Sequence, residues 1–207
     1  MARPRLHTLE ELLDAAEQLV TSGDPAGLTL RALAAASGAS NGTIYHAFRS
    51  KEDLLAQLWL RASARLGAIM VDAIETHSDA APIDTVVAVA LAPLTFTRQH
   101  PASAQLFFAQ RSDQLFSGDI ALELVDDLLA ERKRFVGMLI SLAHAVWNRK
   151  DRPAVEAITA CVVDVPGGML RRAFIDGGRI DTAVGDRIEA AVRAILTVPL
   201  PSTSRRN

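Results

Sequence analysis

Apolar residues recur at three- and four-residue steps along nearly the whole chain, the period of a helix with one buried face. Leu9, Leu12, Leu13, Ala16, Leu19 and Val20 form the first such stripe. It predicts a helix that ends near Ser22-Gly23, followed by a turn at Asp24-Pro25-Ala26-Gly27. Thr8-Leu9-Glu10-Glu11 fits a capping box, in which a hydroxyl and a carboxylate satisfy the orphan amides of the first turn. Thr29 is placed to cap a short helix through Ser37, which Gly38 stops, and Ser40 to cap another through Phe48. Ser50-Lys51-Glu52-Asp53 is a second capping-box pattern, and it opens a longer helix. Its stripe runs through Leu54, Leu55, Leu58, Ala62, Leu66, Ile69 and Ala73 to about His77.

Beyond Ser78-Asp79-Ala80-Ala81-Pro82 the pattern predicts five helical blocks, at 83–99, 101–111, 118–148, 152–176 and 180–197. Pro93 is expected to bend the first, and Pro166-Gly167-Gly168 to kink or break the fourth. The last block places Val184, Ile188, Ala191, Val192, Ile195 and Leu196 on one face, and 199–207 reads as a frayed tail. No segment alternates with period two, and no internal repeat is seen. The fold class expected is all-α.

Composition narrows the picture. With 207 residues, 49% hydrophobic and 22% charged, the chain can bury a real core. One cysteine excludes an intrachain disulfide framework and a structural zinc site built on several thiolates. No uninterrupted apolar run approaches the roughly 20 residues of a membrane span. The basic start at Arg3 and Arg5 leads into acidic residues unlike a signal peptide, so a cytoplasmic protein without a membrane partner is expected. A formal net charge of −2 means that any nucleic-acid role needs a local patch.

Residues 29–51 supply one. Between Pro25 and Lys51 there is no Asp or Glu, while Arg31, Arg49 and Lys51 are positive and His46 can become so; Arg3 and Arg5 could extend the patch across a groove. The same stretch has what a helix-turn-helix requires. Ala34 is small at the crossing, Gly38 tolerates positive φ in the turn, and Leu33 and Ile44 provide one buried contact on each helix. Ser40, Asn41, Gly42, Thr43, Tyr45 and His46 remain as the start and outer face of the second helix. They are neutral or potentially positive groups that suit base edges and phosphates.

Leu13-Asp14-Ala15-Ala16, Leu28-Thr29-Leu30-Arg31-Ala32-Leu33-Ala34 and Gly38-Ala39-Ser40-Asn41-Gly42-Thr43-Ile44-Tyr45-His46-Ala47-Phe48-Arg49-Ser50-Lys51-Glu52-Asp53-Leu54 together resemble the DNA-binding region of TetR-family transcriptional regulators. The resemblance covers about the first 60 residues; the rest matches in helical layout only. Ala47 departs from the pattern, which often has an aromatic residue or histidine there. The resemblance implies about nine helices: an N-terminal three-helix helix-turn-helix domain (1–50), a larger helical ligand-binding and dimerisation domain (51–198), and a flexible tail (199–207). Carried over by position, Thr29 and Arg31 are expected at phosphates, with Asn41 and Thr43 nearest the bases and Ser40 beside them. Gly42 would admit close backbone approach, Tyr45 and His46 would meet phosphate or a thymine methyl, and Lys51 would anchor phosphate. The implied function is a ligand-responsive regulator, a repressor released from a pseudo-palindromic double-stranded operator by a small apolar effector. It would act as a homodimer through the helices at 152–176 and 180–197, with the helix from Ser50 as lever.

The remaining candidates carry less. Phe96, Phe107, Phe108, Phe116 and Trp147 have the spacing of core aromatics; Phe96, His100, Phe107, Phe108 and Trp147 are the residues expected at an effector pocket. Cys161 lies in an apolar run as an inert packed thiol, and the acids from Asp119 to Glu131 read as a solvated face. His7, His46, His77, His100 and His144 make no metal-binding spacing, and no glycine loop could cradle phosphate, so no cofactor, metal or catalytic residue is expected. The rival readings are an all-helical small-molecule sensor or adaptor without specific DNA recognition, and a small helical enzyme.

Overall fold

The computed structural model describes residues 7–22, 28–109, 120–175, 180 and 182–202. Among these the regular structure is α1 (Leu9–Ser22), α2 (Leu30–Ser37), α3 (Asn41–Ala47), α4 (Lys51–Thr76), α5 (Pro82–Gln99), α6 (Pro101–Ala109), α7 (Leu122–Trp147), α8 (Arg152–Ile175) and α9 (Thr182–Thr197). No strand occurs among the described residues, and the all-α class follows. The turn at 24–27, Arg3, Arg5, Phe116, Asp119 and the end of the tail (203–207) lie outside them.

The helix starts are set by short-range chemistry. At α1 the box closes both ways: the Thr8 amide donates to Glu11 Oε2 at 2.8 Å, and the Glu11 amide to Thr8 Oγ1 at 3.2 Å. At α8 the Asp151 side chain accepts from the Ala154 amide at 3.2 Å, with Pro153 in the first turn, where its missing N–H costs nothing.

Proline behaves differently from expectation inside α8. The helix is not broken at Pro166; it widens into a π turn at Ala160–Asp164 and continues to Ile175. The Val165 amide reaches back five residues to the Ala160 carbonyl. Pro166 has no N–H for the carbonyl four residues earlier and its ring would collide with it, so one wider turn relieves both problems. The helix α5 runs continuously through Pro93.

Two compact units emerge, Met1–Arg65 with Thr97–Glu131, and Leu66–Phe96 with Arg132–Asn207. The first is built on Leu12, Leu13, Ala16, Val20, Leu28, Leu33, Ile44, Phe48, Leu54, Leu58 and Leu106, all buried. The second buries Val86, Val89, Phe96, Leu139, Ile158, Cys161, Leu170, Ile188 and Val192. Its α9 lies close against α5, since a Cβ on Gly185 would stand 3.3 Å from Leu94 Cδ1, and Arg193 pairs with Asp84 at 2.9 Å.

By length and composition alone, α4 and α8 are apolar enough to cross a membrane, although neither contains an unbroken apolar run. In α4 the apolar residues Leu54, Leu58, Ala62 and Leu66 are buried, and Arg61 and Arg65 are ion-paired to α1; these are the features of a core helix.

Candidate nucleic-acid interface

The segment α2–turn–α3 is fixed at each of its joints. Thr29 stands at the N-cap of α2 in extended conformation and accepts the Ala32 amide at 3.0 Å. Gly38 ends α2 at φ 70°, a left-handed conformation that glycine adopts without strain, and its amide returns to the Ala34 carbonyl at 3.1 Å. Ser40 then caps α3 by accepting the Thr43 amide at 3.1 Å, and its hydroxyl also meets that of Thr43 at 2.9 Å. Leu33, Ile44 and Phe48 are all 0% exposed and hold the two helices onto the core. With one face of α3 anchored this way, the other faces outward.

The residues expected from sequence lie on α3 and on the starts of α2 and α4. Thr29, Arg31, Ser40, Asn41, Gly42, Tyr45 and His46 are exposed, and Thr43 and Lys51 are half-buried. Tyr45 is 62% exposed, an unusual position for so large an aromatic in a well-packed head. Gly42 has no internal reason to be glycine: a Cβ there meets only Ser40 Oγ, at an ordinary 3.6 Å.

The junction into α4 is built on Asp53, which is 3% exposed. Its amide donates to Ser50 Oγ at 3.0 Å, completing one half of the second capping box. Asp53 Oδ2 also accepts the amide of Arg49 at 3.3 Å. Asp53 Oδ1 accepts the Ala121 amide at 3.2 Å, and Gln57 Nε2 reaches the Ala47 carbonyl at 3.4 Å. The loop between α3 and α4 is therefore tied at several points.

Sequence reasoning missed a buried polar cluster in the same unit. Glu17 on α1 is 9% exposed and receives Arg65 Nη1 at 2.9 and 3.0 Å. Ser103 on α6, fully buried, donates to Glu17 Oε1 at 2.6 Å and accepts from Arg65 at 2.7 Å. Arg61 reaches Glu10 at 3.4 Å, Glu17 at 3.5 Å and Asp14. The only sequence signal was the spacing of Glu10, Asp14 and Glu17 opposite two arginines four residues apart, which cannot be matched without knowing which helices meet. Beside this cluster, burial and then the charge of Arg65 hold the His100 imidazole below its ordinary 6.5.

Of the expected effector residues, Phe107 and Phe108 are brought together edge to face at 5.2 Å, and Phe107 stacks on Trp59 at 5.5 Å. His100 belongs to the same unit, whereas Phe96 and Trp147 belong to the other. Glu131 is not on a solvated face: it is 9% exposed and accepts from Ser63 Oγ at 3.4 Å, while Glu123, Asp126 and Asp127 are exposed. Cys161 is fully buried with its thiol pushed up to about 11 by desolvation, the environment of an unreactive thiol.

Comparison with known proteins agrees with this geometry. Residues 12–58 match the family described as bacterial regulatory proteins, tetR family. A Mycobacterium tuberculosis protein described as an uncharacterized HTH-type transcriptional regulator is 34% identical over 103 residues, covering 49% of this chain and 50% of its own length. The chain thus spans about half the length of the curated relatives it matches. Among solved structures, FadR from Bacillus subtilis in complex with stearoyl-CoA superposes with a TM-score of 0.66 at 15% identity, covering 92% of this chain and 98% of that one. PfmR, a TetR family transcriptional regulator from Thermus thermophilus, gives 0.65 at 20% identity, covering 95% and 100%. The head's two helices and their left-handed glycine turn fall within the residues that match the tetR family of bacterial regulatory proteins, and the fold is shared with PfmR.

Proposed function

We propose that the chain is a ligand-responsive transcriptional regulator, a repressor acting in the cytoplasm as a homodimer on a pseudo-palindromic operator. Residues 1–50 are the reading domain, 51–198 the effector-binding and dimerisation domain, and 199–207 a tail. The observation that carries this reading is the outer face of α3, where Ser40, Asn41, Gly42, Tyr45 and His46 are exposed over a helix locked to the core by Ile44 and Phe48. Asn41 and Thr43 read base edges, Thr29, Arg31 and Lys51 hold phosphates, and Tyr45 and His46 meet phosphate or a thymine methyl.

Two-fold pairing through α8 and α9 is supported by what the outer surface of α8 presents. Val163 and Ile175 are 37% and 65% exposed, and nothing lies within 4 Å of a Cβ built on Gly167 or Gly168. A glycine inside a helix costs about 1 kcal/mol relative to alanine, and close approach of a second copy offsets that cost. The effector is proposed to be small and largely apolar; the shared fold with FadR, whose structure contains stearoyl-CoA, supports an apolar acyl-like part in it. Phe96, His100, Phe107, Phe108 and Trp147 are the residues proposed to meet it. The effector releases DNA only as far as it prefers the conformer whose two heads are wrongly spaced.

Footprinting on a duplex recovered by the wild-type protein from a random-sequence pool tests the reading. Wild type is expected to protect a discrete symmetric stretch, and Tyr45→Ala combined with Lys51→Ala to lose it. Protection unchanged in the double variant would refute the proposal.

A further inference from the structure

The head sorts its charges. Its α1 carboxylates are engaged by cations from α4: Glu10, Asp14 and Glu17 by Arg61, and Glu17 by Arg65. Glu11 closes the cap at Thr8, and Asp53 is turned inward onto backbone amides. Glu52 remains, in the first turn of α4, where the helix dipole favours an acid. Arg31 and Arg49 are left over: both are exposed, and among the described residues neither side chain makes a hydrogen bond or an ion pair. Arg31 has already been assigned to a phosphate; Arg49 shares the positive patch but has been given no contact.

Arg49 is also held in place. It follows Phe48, which is 0% exposed and caps α3, and its own amide is fastened to Asp53 Oδ2 at 3.3 Å. The residue is thus anchored by its backbone at the C-terminal end of the exposed helix, two positions before Lys51, with its guanidinium in solvent. With its backbone already fastened and no internal partner among the described residues to give up, this cation has only its own side chain to order on binding an anion. At the end of a helix whose first turns face the base edges, the nearest anions of a duplex are backbone phosphates.

Resting on the reading that α3 docks on duplex DNA, we infer that Arg49 is a further DNA-contacting residue, which grips a phosphate flanking the segment read by α3. Its contribution is charge without sequence preference, and it adds to the reach of Lys51 on the same side of the head.

The test is the salt dependence of binding to the pool-selected duplex, followed by fluorescence anisotropy. Removing one cation from a phosphate lowers the slope of log K against log salt by about 0.9, so Arg49→Gln is expected to flatten it by about 1.8 for a dimer with two heads bound. Arg49→Lys is expected to restore the slope, and Lys150→Gln, an exposed cation outside the head, to leave it unchanged. An Arg49→Gln slope equal to wild type, or failure of Arg49→Lys to restore it, overturns the phosphate assignment. Tyr45→Ala separates this from the parent reading. If Tyr45→Ala loses binding while Arg49→Gln keeps the wild-type slope, only the Arg49 inference fails; if wild type shows no salt-dependent binding, both fail.

Discussion

Gly42→Ala separates what the fold needs from what the operator needs. Gly42 is the second residue of α3 and exposed, and an added Cβ meets only Ser40 Oγ at 3.6 Å, an ordinary contact. In the free protein the change therefore removes a glycine from a helix without creating a clash. Alanine restricts the unfolded chain and is preferred in helices, which predicts a gain of about 0.5–1 kcal/mol. For a chain of this length that raises Tm by about 1–4 °C. On DNA the sign reverses. If the α3 backbone approaches the duplex at Gly42, a methyl group forced into that contact costs about 1–3 kcal/mol, the usual penalty of overpacking. That corresponds to a loss of roughly 5- to 150-fold in affinity. Thermal unfolding and anisotropy on the same preparation read both quantities. A Tm lowered by several degrees would show that the glycine is structural. A raised Tm with affinity within twofold of wild type would refute close approach at this position.

Two further outcomes follow from the polar cluster of the first unit. Glu17→Gln takes the carboxylate from Arg65, while Arg61 keeps Glu10 and Asp14; because Arg65 keeps 26% side-chain exposure, the loss is set below the fully buried case, at about 2–4 kcal/mol in urea unfolding. An effect under about 0.5 kcal/mol, the scale of an ordinary surface change, would show that the cluster is solvated. His100, held below 6.5 in the folded state by burial and by Arg65, stays neutral where the unfolded chain takes up a proton. Its contribution to stability is therefore complete above pH 6.5 and is lost as pH falls from 6.5 toward its lowered folded value. Urea unfolding between pH 5 and 8 is expected to show this fall in wild type and a flatter profile in His100→Gln; parallel profiles would refute the assignment.

The amino-acid sequence by itself determined the helical register, the caps and the reading motif. Those depend on neighbours three to five residues apart: Thr8 with Glu11, Thr29 with Ala32, Ser40 with Thr43, and Gly38 between two short helices. The exposed set on α3 was legible for the same reason, since Ile44 and Phe48 choose its inner face and leave the rest outside. Proline at position 166 could be read as a disturbance, but whether a helix breaks or widens depends on the packing around it, and here Cys161 and Val162 are buried within the π turn, with Ile158 and Leu170 buried on either side. Only the tertiary structure decided which charges are consumed. Glu17 meets Arg65 and Ser103 across 48 and 86 residues of sequence, and Glu131 turns inward to Ser63 across 68. Such pairs form where helices distant in sequence cross, and no local period encodes the crossing. For the same reason, Arg31 and Arg49 stand out as unspent cations among the described residues of the head only once the partners of the others are known.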